Sequence, residues 1–195
     1  MDRVELKNLA KEQIKGNIGT LFLVSLVVAL INGALGLIPT VGSVASAVLS
    51  PMFTLAVTII YLNLTNGKKP EVGDLFTQFN QIWPAFKVNF LVGLFTALWT
   101  MLLVIPGIVK GISYSQAMYI LAENPEIGAL EAINRSKAMM EGHKMEYFVL
   151  GLSFFGWMLL VAITFGIAGI WVLPYMNTTM TNFYNKVKGG AVVEG

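Results

Sequence analysis

The sequence predicts an all-α polytopic membrane protein. It should have six transmembrane helices, arranged as three parallel helical hairpins, each preceded by a short cytoplasmic or interfacial helix. Three observations lead there. Apolar blocks at residues 18–64, 88–122, 147–166 and 167–184 take up most of the 195-residue chain. Each of the first two is too long for one crossing, which needs about 20 apolar residues, and Gly and Pro break it in the middle. Of the 13 Lys and Arg residues, Lys110 alone lies inside a block. The charged segments 1–17, 65–87, 123–146 and 185–195 therefore share one face. The positive-inside rule makes that face cytoplasmic and puts both termini on it.

Composition bounds the rest. The chain is 55% hydrophobic and 12% charged, with mean hydropathy +0.69, whereas soluble domains carry about 25% charged residues. One membrane domain, 1–195, is expected. The net charge of +2 is spread over several loops and mixed with acids. That pattern suits topology and contact with lipid headgroups, not nucleic acid. The absence of Cys excludes a disulfide framework and thiol chemistry. Residues 1–17 hold Asp2, Glu5 and Glu12 beside their basic residues. The apolar run that follows exceeds the 7–15 residues of a signal core, so a retained first span is expected.

The elements repeat. PEVGDL (Pro70 to Leu75) recurs as PEIGAL (Pro125 to Leu130), and NFLVGL (Asn89 to Leu94) as YFVLGL (Tyr147 to Leu152). Trp99 falls on Trp157, and Lys11 to Gly16 has the spacing of Lys137 to Gly142. The expected units are 1–64, 69–122 and 124–184, related by an axis along the membrane normal. The clearest connector helix is 126–141. Asn124 is its expected N-cap, Pro125 suits its first turn, and Gly142 suits its stop. Ile127, Leu130, Ile133 and Met140 should share its apolar side, and Glu131 and Arg135 should pair at i,i+4.

The second helix of each hairpin is the polar one. Pro51 precedes Tyr61 by ten residues, as Pro174 precedes Tyr184. Thr54 then matches Asn177, and Thr58 matches Thr181. In the middle unit Ser113 takes the Pro position, so Tyr114 matches Tyr175 and Gln116 matches Asn177. Exposing amides to lipid is costly, so Thr54, Gln116 and Asn177 should face the bundle interior with Tyr114 and Tyr175 beside them. Two roles stay open: interhelical hydrogen bonds, or a hydrated site for a small solute.

Lys110 follows Ile105-Pro106-Gly107 and is expected to snorkel to the outer headgroups. Gly107 and Gly111 form a G-x-x-x-G pattern that suits a close helix contact. Reactive constellations are poor. His143, the single His, has only Glu146 near it in sequence, so no metal site is expected. Phosphate-loop, nucleophile-elbow and dinucleotide patterns are missing too, so no catalytic residue and no cofactor is assigned.

The strings IPGIVKGISYSQAMYILAENP (Ile105 to Pro125), EAINRSKAMMEGHK (Glu131 to Lys144), LSFFGW (Leu152 to Trp157) and LPYMNTTMTNFY (Leu173 to Tyr184) carry a resemblance. Over nearly the whole chain they resemble a family of integral membrane proteins of Gram-positive bacteria, the domain of unknown function number nine hundred and seventy-five. That resemblance implies a compact six-helix protein of the bacterial cytoplasmic membrane and supplies no substrate. The chain is also distantly similar to the membrane portion of some glycerophosphodiester phosphodiesterases. It shows no soluble enzyme domain of theirs, so no such activity is expected. The first functional expectation is a non-enzymatic protein acting through membrane lipids, a membrane-protein partner or a second copy of itself, in an accessory, scaffold or immunity-type role. The alternative is a small-solute or lipid transporter or channel with its polar core on the second helices.

Overall fold

The computed structural model describes residues 2–38 and 40–193, apart from the side chains of 190–193. Among the described residues the chain forms ten α-helices and two 3-10 helices, with no strand. The first connector is α1 (Arg3–Ile14), capped by the Asp2 carboxylate, which accepts from the Val4 N–H at 2.8 Å. Helices α2 (Ile18–Gly36) and α3 (Val41–Thr65) form a hairpin. Two 3-10 turns follow, Val72–Phe76 and Phe79–Gln81, the first closed by reciprocal bonds between Glu71 and Asp74. Then come α4 (Ile82–Leu102), α5 (Val104–Tyr114) and α6 (Ala117–Glu123). After α7 (Ala129–Met139), the chain ends with α8 (Lys144–Leu152), α9 (Phe155–Ile163) and α10 (Gly169–Val193).

Four helical stretches are long and apolar enough to cross a membrane: Ile18–Gly36, Val41–Thr65, Val72–Leu102 and Lys144–Ile163. Residues 104–123 fall short because the helix breaks at Ser115 and Gln116. Helix α10 falls short because it carries Asn177, Thr178, Thr179, Thr181 and Asn182. Yet α10 is a core helix, with Val172, Tyr175, Thr178, Thr179, Thr181, Phe183 and Tyr184 all buried. A helix enclosed by protein has no need to be apolar all round. The outer helices show the reverse. Leu26 and Leu30 of α2, Phe90, Leu94 and Leu98 of α4, and Leu159 and Ile163 of α9 are exposed. These form the apolar belt that lipid would cover.

The second and third connectors pack on the hairpin before them. The 3-10 segment lies against α2 and α3, and α7 lies against α4, α5 and α6. Helix α1 packs against α10 and α3. The carboxylate of Glu123 ties the end of α6 to α10. It accepts from the Tyr184 hydroxyl at 2.6 Å and from the Lys188 ammonium at 2.7 and 2.8 Å.

Two details correct the sequence reading. The third connector starts at Ala129, not at residue 126, with Gly128 as its N-cap. Asn124 instead returns its amide to the Ile120 carbonyl, closing α6. The buried side of α7 is therefore Ala132, Ile133 and Ser136, and Leu130 is exposed. PEVGDL and PEIGAL also do not open the same element, since the first forms a 3-10 turn and the second leads into an α-helix. The expected pairing of Glu131 with Arg135 is present at 2.9 Å. Gly142 turns the chain after α7 with φ +81°, a conformation that favours glycine.

The second hairpin turns on a single extended residue, Leu103, between α4 and α5. So tight a reversal presses α5 onto α4. A Cβ on Gly107 would lie 2.1 Å from the Thr100 hydroxyl and 2.6 Å from its Cα. Gly111 faces Thr96 one turn on. The G-x-x-x-G spacing thus serves contact within a hairpin. Lys110, on the same helix, places its ammonium 4.8 Å from the centre of the Trp99 ring.

The break at Ser115 and Gln116 frees a carbonyl at Ser113 and an N–H at Gln116. Ser136 of α7 meets both. Its hydroxyl donates to the Ser113 carbonyl at 2.8 Å and accepts from the Gln116 N–H at 3.1 Å. Ser136 is fully buried. Replacing Ser136 by Ala would leave two buried backbone groups without partners, each costing about 1–3 kcal/mol. Thermal unfolding of purified Ser136→Ala in detergent should therefore show a loss of about 2–6 kcal/mol. Ser153→Ala, whose hydroxyl only returns to the Leu150 carbonyl, should cost under about 1 kcal/mol.

A polar cavity between three helices

Polar side chains of α3, α10 and the α5–α6 break meet around one cavity of about 340 Å³. Helix α3 supplies Ser50, Thr54, Thr58 and Tyr61, which at i, i+4, i+8 and i+11 make one face. The break supplies Ser115, α6 supplies Met118 and Tyr119, and α10 supplies Asn177. Val28, Phe53 and Val57 complete the wall. Among the described lining residues none carries a formal charge. By contrast, the recess between α5 and α8–α9 is walled by Ile108, Ile112, Phe148, Phe155 and Met158 and suits acyl chains.

The threonines of α3 bond back along their own helix. Thr54 donates to the Ser50 carbonyl at 3.0 Å, and Thr58 to the Thr54 carbonyl at 2.8 Å. Ser115 donates to the Ile112 carbonyl and accepts from the Gln116 amide, at 2.8 and 2.7 Å. The Tyr119 hydroxyl lies 3.4 Å from that of Thr181. Tyr61 differs. Its ring is buried, and its hydroxyl has no hydrogen-bond partner among the described residues. The Asn177 amide and the Ser25 hydroxyl are near enough to influence it, but neither meets it with the distance and angle of a hydrogen bond.

Of the five residues expected to form a polar layer, Thr54 and Asn177 line this cavity, but Asn177 is only half-buried and Thr54 is exposed, not turned to the interior as expected. Gln116 is fully buried one side chain behind it, joined through Ser115, and its amide oxygen has no partner. Tyr114 packs on Phe95 with ring centres 6.2 Å apart. Tyr175 belongs to an aromatic cluster with Phe154, Trp157 and Trp171. Neither tyrosine lines the cavity. Sequence reasoning left out Ser50, Ser115 and Tyr119 as wall residues, and used Thr58 and Tyr61 only as repeat markers. The four-residue polar stripe of α3 was the available signal. Ser115 and Tyr119 have no such signal, because a helix break brings them round. His143 contacts only Glu146, Nδ1 to Oε2 at 2.8 Å, and no metal-binding cluster occurs among the described residues.

Removing an unpartnered buried hydroxyl should relieve a desolvation penalty. Tyr61→Phe is expected to leave the ligand-free protein as stable as the parent or up to about 1 kcal/mol more stable, measured by thermal unfolding in detergent. A clear loss would mean that the hydroxyl has a partner within the protein.

Neither the comparison with curated proteins nor that with solved structures returned a significant match. A family model does match, at residues 1–113 and 100–191, so nearly the whole chain is covered. The chain belongs to the family described as Protein of unknown function (DUF975).

Proposed function

We propose that this is a non-catalytic protein of the bacterial cytoplasmic membrane that takes a small uncharged polar solute, or the polar part of a lipid, into the cavity between α3, α6 and α10. The observation that carries the reading is the buried, unpartnered Tyr61 hydroxyl in the wall of a polar cavity. Of the five buried side-chain polar atoms without a hydrogen bond among the described residues, Tyr61 Oη is the one whose residue lines this cavity, and such a group calls for an occupant or a functional account. The volume falls at the lower end of the range for small-molecule sites. The wall holds no carboxylate, imidazole or amine among the described residues, which supports binding over chemistry. The scaffold or accessory role draws on the lack of a reactive constellation, the short connector helices and the tight turns, all of which a solute-binding protein shares.

The same reading places six crossings in the membrane as three parallel hairpins, with both termini in the cytoplasm. The four apolar stretches supply four crossings. The broken α5–α6 stretch and the polar α10 supply the other two, shielded by their neighbours. A repeat is part of this reading. Leu6, Ala10 and Ile14 of the first connector and Ala132, Ser136 and Met140 at the third are buried at matching positions. Gly16 and Gly142 then turn the chain with φ +78° and +81°.

Because the chain has no Cys, single-Cys labelling tests both parts. Thr40→Cys should react with an impermeant reagent in intact cells, and Gly67→Cys and Gly128→Cys should react only after the membrane is opened. In purified protein, Ser115→Cys and Asn177→Cys should react with a small polar thiol reagent, and Ala56→Cys, in the packed core, should not. Labelling at Gly67→Cys from outside would sink the topology. Silence at both cavity positions would sink the solute site.

A further inference from the structure

Helix α1 carries Arg3, Lys7 and Lys11 at strict four-residue intervals, and Lys15 follows as its C-cap. This basic stripe runs beside the buried seam of Leu6, Ala10 and Ile14. It therefore emerges along the edge where α1 meets the third hairpin. Arg3 borders Met145, Glu146 and Val149 of α8. The Lys7 ammonium donates to the Ser153 carbonyl at 3.3 Å and stands 4.5 Å from the centre of the Phe154 ring. The Lys11 ammonium stands 5.6 Å from the centre of the Tyr175 ring. Those two rings are 5.3 Å apart and join Trp171 and Trp157 in one cluster, with Trp171 5.0 Å from Tyr175 and Trp157 5.3 Å from Trp171.

No carboxylate lies in ion-pair contact with any of the four cations among the described residues. Glu5, on the same helix, is turned away to Lys186. Burial, and then the charges of Arg3 and Lys11, push the Lys7 ammonium below its ordinary range. Lys7 and Lys11 thus stand together, with no ion-pair partner among the described residues, at the rim of an aromatic patch. Below the rim, α9 presents Phe155, Met158 and Leu159 outward.

We infer that Lys7 and Lys11 hold the phosphate of an anionic glycerophospholipid, with its acyl chains laid along the partly exposed Trp157 and Trp171 and along α9. Charge complementarity selects the head, and the apolar surface below selects a molecule with tails. Lys7 uses one of its three N–H groups on Ser153, which leaves two for phosphate oxygens. Trp and Tyr at this level suit the boundary between headgroup and chain. The site is separate from the cavity of Tyr61 and stands or falls without it.

The test is lipid retention by the full chain in non-ionic detergent, read by native mass spectrometry. The probes are phosphatidylglycerol and phosphatidylcholine of matched acyl chains. The parent should keep one phosphatidylglycerol at concentrations roughly tenfold below those needed for phosphatidylcholine. The pair Lys7→Gln with Lys11→Gln should abolish the difference, and Lys7→Arg with Lys11→Arg should keep it. Lys68→Gln with Lys69→Gln, away from the site, should also keep it. Excess inorganic phosphate should not displace the lipid; full displacement would indicate a soluble-anion site and overturn the assignment. Equal retention of the two lipids by the parent, or unchanged preference in the double Gln variant, would overturn it as well. Should the Gln variant not fold, brominated phosphatidylglycerol must still quench the Trp fluorescence of the parent more than brominated phosphatidylcholine does. Equal quenching would defeat the proposal.

Discussion

A backbone N–H or C=O in an apolar bundle must find its partner inside the protein, because lipid offers none. Most helices meet this rule along their own length. Two stretches do not, since one breaks at Ser115 and Gln116 and the other at Ser153 and Phe154. At each break a connector helix supplies the missing partner. Ser136 of α7 closes the first, and Lys7 of α1 reaches the Ser153 carbonyl at the second. The connectors are therefore part of the bundle and not idle surface helices. Their position is fixed by groups that would otherwise stand unpaired. The break at Ser115 in turn brings Ser115 and Tyr119 round to the cavity wall.

The same constraint explains why hydropathy and centrality run opposite ways. Helices α2, α4 and α9 bury little and are apolar around their circumference. Helix α10 is polar because protein surrounds it. Its Thr179 and Thr181 return their hydroxyls to the carbonyls of Tyr175 and Asn177 at 2.7 and 2.9 Å, which satisfies them without a partner helix. Asn182 bonds to Gln13 of α1 at 2.7 Å, and Asn185 to Thr65 of α3 at 3.0 Å. Polarity there joins three elements at one end of the bundle.

What could be read in the sequence follows from what is periodic in it. The helical class, the long apolar stretches and the tight contact at Gly107 are all local, so they were legible. So was the burial of Gln116, whose amide is costly to leave facing an apolar medium, whereas Asn177 is half-buried and Thr54 exposed, because their burial is set by packing between helices. The start of α7 was not legible. Asn124 suits an N-cap in isolation, but its Nδ2 donates to the Ile120 carbonyl, which turns the side chain back over the end of α6. The pairing of Ser136 with the α5–α6 break depends on two segments more than 20 residues apart, and no local rule connects them. Tyr114 and Tyr175 were grouped with the cavity by register, but their rings are drawn to Phe95 and to the Trp157–Trp171 pair. Aromatic packing overrode a register argument that treated depth as the only variable.

The chemistry of the wall also narrows what the cavity can hold. Thr54 and Thr58 have spent their hydroxyl protons on helix carbonyls, so toward the cavity they present lone pairs. Ser115 both donates and accepts already. Tyr61 keeps a hydroxyl with a proton to give, and Asn177 carries both a donor and an acceptor. A bare anion would meet mostly lone pairs, and a bare cation would find no carboxylate to balance it. A molecule with hydroxyl or amide groups can do both: give protons to the threonine oxygens and accept one from Tyr61. The hydrogen-bonding polarity of α3 thus sets the class of ligand, and it does so because its threonines must first satisfy themselves along their own helix.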